Sequence, residues 1–505
     1  MTAMPNPGIR LERLYNDLHE RMDELRGRHE AVTRSREVVE TALQDGTAHY
    51  GINTGFGALA NKRISSDELA TLQQNILLSH ACGVGDPVPP DITRLMLQLK
   101  IHSLSLGFSG VSETTFRQLL RLEQHGVLPW VPSRGSVGAS GDLAPLAHLC
   151  LPLIGRGDAW DGARSAKVAA GEVLAEKGIE PISLQAKDGL ALINGTQLMA
   201  AYGAYVLERT LTLQREADLL AAMSLEALQG SAKPFDKRIH ALRPHHGQGV
   251  VASNIRRLLE GSEIMASHRD CGKVQDPYSL RCVPQVHGAS RDALDYARRA
   301  IETELNSVTD NPLVFSEGDI VSGGNFHGQP LALAMDFAAV ALAELASISE
   351  RRTYLLLEGH DGLPKLLMQD TGVNSGFMIP QYTAAALVSE NKGLCHPASV
   401  DSIPTSLGQE DHVSMGSISA FKLLKVLQNV EHVLAVELLT SAQALDFRRE
   451  LLPGRGVAIA HATLRDKVAH AVKDYEVRND LEACTELLDS GALLDEVEKE
   501  LGLLS

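Results

Sequence analysis

The stretch PLALAMDFAAVALAELASISERRTYLLLEG, Pro330 to Gly359, decides the fold class. Proline opens it and glycine closes it, the usual punctuation of a helix, so it reads as a helix over Ala332–Glu358. About 27 helical residues rise ~40 Å. Apolar residues occupy nearly every face, so no side is suited to water and the helix belongs inside a bundle. Asp336 and Glu344 interrupt its most apolar part, Leu331 to Ile348. With its alanine richness they make it a buried helix of a soluble protein, not a membrane span.

The same pattern recurs. Thr196–Gln229 is alanine- and leucine-rich and stops before Gly230. Val413–Phe447 carries Leu423, Leu427, Val430, Leu434 and Leu438 at helical spacing. Gln381–Glu390, after Pro380, begins a further helix. Such helices bury their apolar faces only against one another, so the chain reads as an all-α protein with a central bundle of long helices. Residues 1–195 form a loop-rich part with shorter helices, and residues 196–505 carry the long ones. Glycine and proline cluster between helices, at Tyr50–Gly57, Gly135–Pro145, Lys273–Gly288, Gly323–Pro330 and Ser402–Gly408. Strand signals are few and short.

Bulk composition narrows the function. Of 505 residues, 44% are hydrophobic and 22% charged, an ordinary globular balance. The net charge of -16 disfavours nucleic acid and anionic membranes as partners. Cys82, Cys150, Cys271, Cys282, Cys395 and Cys484 are scattered without a Cys-x-x-Cys pair. The first residues lack a basic segment leading into an apolar one, so no signal peptide is expected. Together these point to a cytoplasmic protein with reduced thiols.

One loop stands out chemically: Arg134-Gly135-Ser136-Val137-Gly138-Ala139-Ser140-Gly141-Asp142. If the Gly141 nitrogen attacks the Ala139 carbonyl, a five-membered ring closes through Ser140. Loss of two waters then leaves a methylidene-imidazolone (MIO), whose exposed methylene comes from the Ser140 side chain. Gly141 permits the close approach this needs. Asp142 reads as the N-cap of a following helix, which would set the loop at a positive helix end. An isolated Ala-Ser-Gly arises by chance in roughly one chain in four of this length, so the neighbouring motifs decide.

Six other segments carry chemistry-bearing residues. Tyr50 leads the glycine-rich Tyr50–Gly57; the Gly55-Phe56-Gly57 run in it only loosely mimics a dinucleotide fingerprint, and no strand precedes it. His80 lies in Leu78–Gly85, where a lone histidine is more often structural than functional. Asn194 opens Asn194-Gly195-Thr196-Gln197 and would ordinarily be a helix cap. Gln275-Asp276-Pro277-Tyr278-Ser279-Leu280-Arg281 sets a tyrosine three residues from an arginine. Arginine suits a carboxylate clamp, although a structural ion pair is the plainer alternative. Phe326 lies in Gly324–Gln329. Glu410 lies in Gln409-Glu410-Asp411-His412, which could equally be a solvated acidic turn. No Gly-x-Ser-x-Gly elbow is present. His240, His245 and His246 lack metal-ligand spacing, so no metal site is expected.

In order along residues 45–450, with Asn306–Pro312 as a further landmark, these segments resemble the aromatic amino-acid ammonia-lyase family. The resemblance implies a fumarase/aspartase-like helical fold and an MIO electrophile made from Ala139, Ser140 and Gly141. No external cofactor is implied. It further implies a homotetramer in which each active site draws on several subunits. By similarity, Tyr50 is the preferred base for the β-proton with Glu410 as its rival, and Tyr278 assists at the amine or in closing the loop. Arg281 binds the substrate carboxylate, Asn194 supports the ring oxygen, and Gln275 and Phe326 line the pocket.

His80 with Glu410 indicates the members that act on L-histidine and release trans-urocanate, because a carboxylate accepts from an imidazole N–H and offers little to an apolar ring. A tyrosine or phenylalanine lyase, or an aminomutase, is the near alternative. A non-catalytic helical homologue serving assembly is the distant one. Gln329 departs from the glutamate usual in the family at that place, and a local rearrangement without change of reaction is expected.

Overall fold

The computed structural model describes residues 8–44, 49, 51–54, 64, 68–269 and 273–505. Helix accounts for 63% of the chain and strand for 5%, the all-α class. The helices that carry the argument are α1 (Leu69–His80), α2 (Pro90–Ser105), α3 (Leu143–Cys150), α4 (Asp188–Ile193), α5 (Gln197–Ala227), α6 (His246–Leu258), α7 (Val283–Leu305), α8 (Gln329–Leu357), α9 (Met378–Leu394) and α10 (Gly416–Leu445). The expected long helices appear as α5, α8 and α10, with ends within three residues of the sequence reading. In α8, 67% of the most apolar window is buried, as befits a core helix.

One long helix lies partly where a loop was expected. Residues 273–288 read as a glycine and proline cluster, yet α7 starts at Val283. Pro284 falls in its first turn, where a missing N–H costs nothing. Gly288 sits inside the helix because α6 crosses it closely. A Cβ there would lie 2.4 Å from the Gln248 nitrogen.

The chain forms two compact units, each discontinuous in sequence. The first comprises Met1–Val206, Arg298–Asp336 and Pro397–Phe421. The second comprises Leu207–Ala297, Phe337–His396 and Lys422–Ser505.

In the second unit, segments of α5, α7, α8 and α10 share one buried polar network. Arg352 of α8 donates twice to Glu437 of α10, at 2.5 and 2.8 Å, and Ser224 of α5 donates to the same carboxylate at 2.6 Å. Asp218 of α5 accepts from His287 (2.8 Å) and Arg291 (3.0 Å) of α7 and from Asn254 (3.0 Å) of α6. Burial would raise the Asp218 carboxyl, but Arg291 and His287 outweigh it and hold it low. Burial keeps His287 neutral, so its Nδ1–H serves Asp218 while Nε2 is left to face Arg352 at 3.4 Å. Around this network the helices bury Leu219, Leu220, Met223, Leu342, Leu345, Leu434 and Leu438.

In the first unit, three two-stranded antiparallel ribbons join shorter helices. The ribbon that positions the site pairs β1 (Val84–Pro87) with β2 (Pro132–Arg134), in register Val84 to Arg134. It ties the chain leaving α1 to the chain entering the Ala139-Ser140-Gly141 loop.

Candidate active site

The loop from Gly135 to Asp142 is held from two sides within the first unit. Met415 N–H donates to the Val137 carbonyl (2.9 Å), and the Ser414 hydroxyl donates to the Gly138 carbonyl (3.1 Å). The Ser417 hydroxyl donates to the Ser136 carbonyl at 2.7 Å. On the other side Gly141 and Gly195 form an isolated bridge, with Asp142 N–H on the Gly195 carbonyl at 2.7 Å. Gly141 has φ +77°, and a Cβ on it would lie 2.0 Å from the Gly195 oxygen. Only glycine satisfies both the left-handed backbone and that contact.

Asp142 does stand at the N-cap position of α3, but its side chain makes no capping bond there. The carboxylate turns instead to α5, where it accepts from Met199 N–H at 3.0 Å and so caps the first turn of another helix. It is fully buried, and burial pushes its pKa up to about 7 against those hydrogen bonds.

Glu410 reaches the loop from the 402–415 segment. Its Oε1 lies 3.5 Å from the Ser140 hydroxyl, and its Oε2 accepts from the Thr405 hydroxyl at 2.6 Å. Thr405 and Glu410 also pair through their backbones around a turn in which Ser406 and Leu407 have positive φ. Such cost is retained where the surroundings over-determine it. His80 ends α1, with Nδ1 3.0 Å from the Ser79 hydroxyl. Burial lowers its pKa, while a hydrogen bond at Ile76 and the Glu410 charge pull the other way. The imidazole is thus neutral at neutral pH, within the field of Glu410. Phe326 is half-buried in a loop whose next residue, His327, bonds the His412 carbonyl at 3.2 Å. Gln329 Nε2 donates to the Ser399 carbonyl at 3.0 Å.

The Asn194 side-chain amide donates to Asp310 (3.3 Å) and to the Asn311 carbonyl (2.8 Å). The Ser140 carbonyl accepts from the backbone N–H of Gly195, at 3.4 Å. Asn194 Oδ1 is buried and finds no hydrogen-bond partner among the described residues. A buried cluster surrounds this point: Lys100 donates to the Asn194 carbonyl at 2.6 Å, and Lys187 pairs with Asp310 at 2.8 Å. Sequence reading missed Lys100 and Lys187, and noticed Asp310 only as part of a landmark. Lys100 lies within an apolar helical run, where nothing marks it as more than a surface residue.

Gln275, Tyr278 and Arg281 belong to the second unit, where Gln275 and Tyr278 are exposed. The Arg281 guanidinium lies over the Tyr278 ring, 4.5 Å from its centre, and Arg281 Nε donates to the Asp276 carbonyl at 2.9 Å. Tyr278 is 69% exposed. Among the described residues the partners of Arg281 are a carbonyl and a ring, with no ion pair. Tyr50 lies outside the described residues. No group of His, Cys, Asp and Glu side chains suited to a metal occurs among the described residues.

The Ala139-Ser140-Gly141 turn fits a methylidene-imidazolone. Its glycine is pressed against Gly195, its serine hydroxyl faces a carboxylate, and its serine carbonyl faces an N–H.

Comparison with known proteins agrees with this geometry. A family model described as aromatic amino acid lyase matches residues 12–466. The chain is 55% identical over 473 residues to a protein named histidine ammonia-lyase from Anaeromyxobacter sp. (strain K), covering 92% of this chain and 93% of that one. Among solved structures, histidine ammonia-lyase from Trypanosoma cruzi has a TM-score of 0.87 at 43% identity, covering 94% and 90%. Tyrosine aminomutase from Streptomyces globisporus has a TM-score of 0.90 at 35% identity, covering 99% and 98%. The chain belongs to the aromatic amino acid lyase family.

Proposed function

We propose that the chain is a histidine ammonia-lyase, which eliminates ammonia from L-histidine to give trans-urocanate. The observation that carries this reading is the Glu410 carboxylate, set against the Ser140 hydroxyl and within the field of a neutral His80. The methylidene-imidazolone made from Ala139, Ser140 and Gly141 supplies an electrophile that makes the substrate amine a better leaving group.

The chain's own groups do the rest. His80 and Glu410 hold the substrate imidazole; Glu410 has lone pairs to spare beyond the Thr405 bond. Arg281 binds the substrate carboxylate, and its stacking on Tyr278 fixes the guanidinium plane. Tyr278 assists at the amine. The β-proton goes to Tyr50 or to Glu410. Asn194 and the Gly195 N–H support the Ser140 carbonyl side of the loop. Gln275 and Phe326 line the pocket. The exposure of Gln275 and Tyr278 suits a segment offered to a neighbouring subunit, which supports a homotetramer with shared sites.

Incubation of the purified protein with histidine, tyrosine and phenylalanine separately, followed by product absorbance, tests the reading. Urocanate from histidine alone is expected. Coumarate, cinnamate or a β-amino acid at a comparable rate would overturn it.

A further inference from the structure

Lys100 is a buried cation that the mechanism above leaves unused. It sits in the middle of α2 among Leu97, Leu99, Ile101 and Leu104, itself 2% exposed. Burying an ammonium is costly unless a partner compensates. The charged and titratable groups facing it are Asp310, Cys150, Lys187 and Asp142. Asp310 is already engaged by Lys187, and the hydrogen bond of Lys100 goes to a backbone carbonyl, that of Asn194, at 2.6 Å. Burial lowers the Lys100 pKa to about 8, with Asp310 pulling it back, so the group is mostly charged at neutral pH.

The Asn194 carbonyl and the Gly195 N–H are two ends of one peptide group. A cation on the oxygen draws electrons through the amide and makes the N–H a stronger donor. That N–H points at the Ser140 carbonyl oxygen. We infer that Lys100 is a positioning residue for maturation of the loop, acting through the Asn194–Gly195 peptide on the charge that gathers at the Ser140 carbonyl. The inference rests on the electrophile reading.

The chemistry balances without a further reactant. The Gly141 nitrogen bonds to the Ala139 carbonyl carbon, and its proton passes to the Ala139 oxygen. That oxygen leaves as water with the Ser140 N–H proton, giving a C=N bond. In the second water loss the Ser140 Cα–H is broken first, and its electron pair rests on the Ser140 carbonyl oxygen. The pair then returns to form the Cα=Cβ bond as the hydroxyl departs and takes up a proton. The polarised Gly195 N–H stabilises the middle of this second step.

Intact mass reads the step without recourse to turnover. Folded, full-length Lys100→Met is expected to keep at least one water in most molecules, and Lys100→Arg to restore the loss. A folded Lys100→Met that has lost both waters, made at the unchanged protein's rate, overturns the inference. A second measurement needs no loss of the lysine. In cell-free synthesis of the unchanged chain, water loss should slow at least about fivefold between about pH 7 and about pH 9.5, as Lys100 loses its proton. Lys100→Arg, charged throughout, should show no such fall. A rate in the unchanged chain that holds or rises with pH overturns the inference. If the unchanged protein never loses two waters, the electrophile reading itself fails; if it does and Lys100 makes no difference, only the part assigned to Lys100 fails.

Discussion

Two buried polar clusters, one in each unit, are built to opposite specifications. In the second unit Arg352, Glu437 and Ser224, and Asp218, His287, Arg291 and Asn254, pair with one another so that both carboxylates are fully engaged, although Arg291 Nε finds no partner among the described residues. In the first, Asn194 Oδ1 has no partner among the described residues, Lys100 ends on a carbonyl, and Asp142 is pushed up to about 7. A network whose task is to hold helices together closes on itself. One whose task is chemistry keeps unspent hydrogen-bonding capacity beside the reacting atoms.

Four substitutions test that contrast. Ser140→Ala should leave a folded protein whose ammonia release falls at least about a thousandfold. Retained release would show that the open cluster serves no electrophile. Arg352→Met strands Glu437 in the core and should cost about 3–5 kcal/mol in denaturant unfolding, with kcat unchanged in molecules still folded. Lost turnover at full stability would erase the distinction. Glu410→Gln should cut kcat/KM for histidine about a hundredfold while unfolding barely moves. An unchanged rate would mean Glu410 neither holds the imidazole nor takes the proton.

The smallest effect concerns Asp446, a second saturated carboxylate in the second unit. Burial alone would raise it, but His461, His470 and Arg465 hold it well below the usual range. Its folded pKa thus lies below the unfolded value of 3.8, so its contribution is in place above that value and lost as pH falls towards the folded one. Asp446→Asn should flatten the acid limb of stability measured by thermal unfolding. An unaltered limb would place acid sensitivity elsewhere.

The long helices were legible because an apolar run with helical punctuation has few alternatives. The tripeptide loop was legible because its chemistry is local. What escaped was tertiary. Pro284 and Gly288 suggested a break, yet first-turn placement and a close helix crossing made both compatible with α7. Asp142 was recognised as a cap, but the helix it serves is α5, more than fifty residues on. The Ser140 carbonyl also accepts from the Gly195 backbone N–H, a contact that no side-chain pattern reveals. Lys100 gave no signal because its partner is a carbonyl.

The grip of residues 414–417 on the loop also sets a clock. Residues 136–138 are held by Ser414, Met415 and Ser417. A ribosome adding ~5–20 residues per second reaches them on the order of half a minute after Gly141. A chain truncated or stalled before Ser414 lacks these contacts, so the loop is gripped only late relative to its own synthesis.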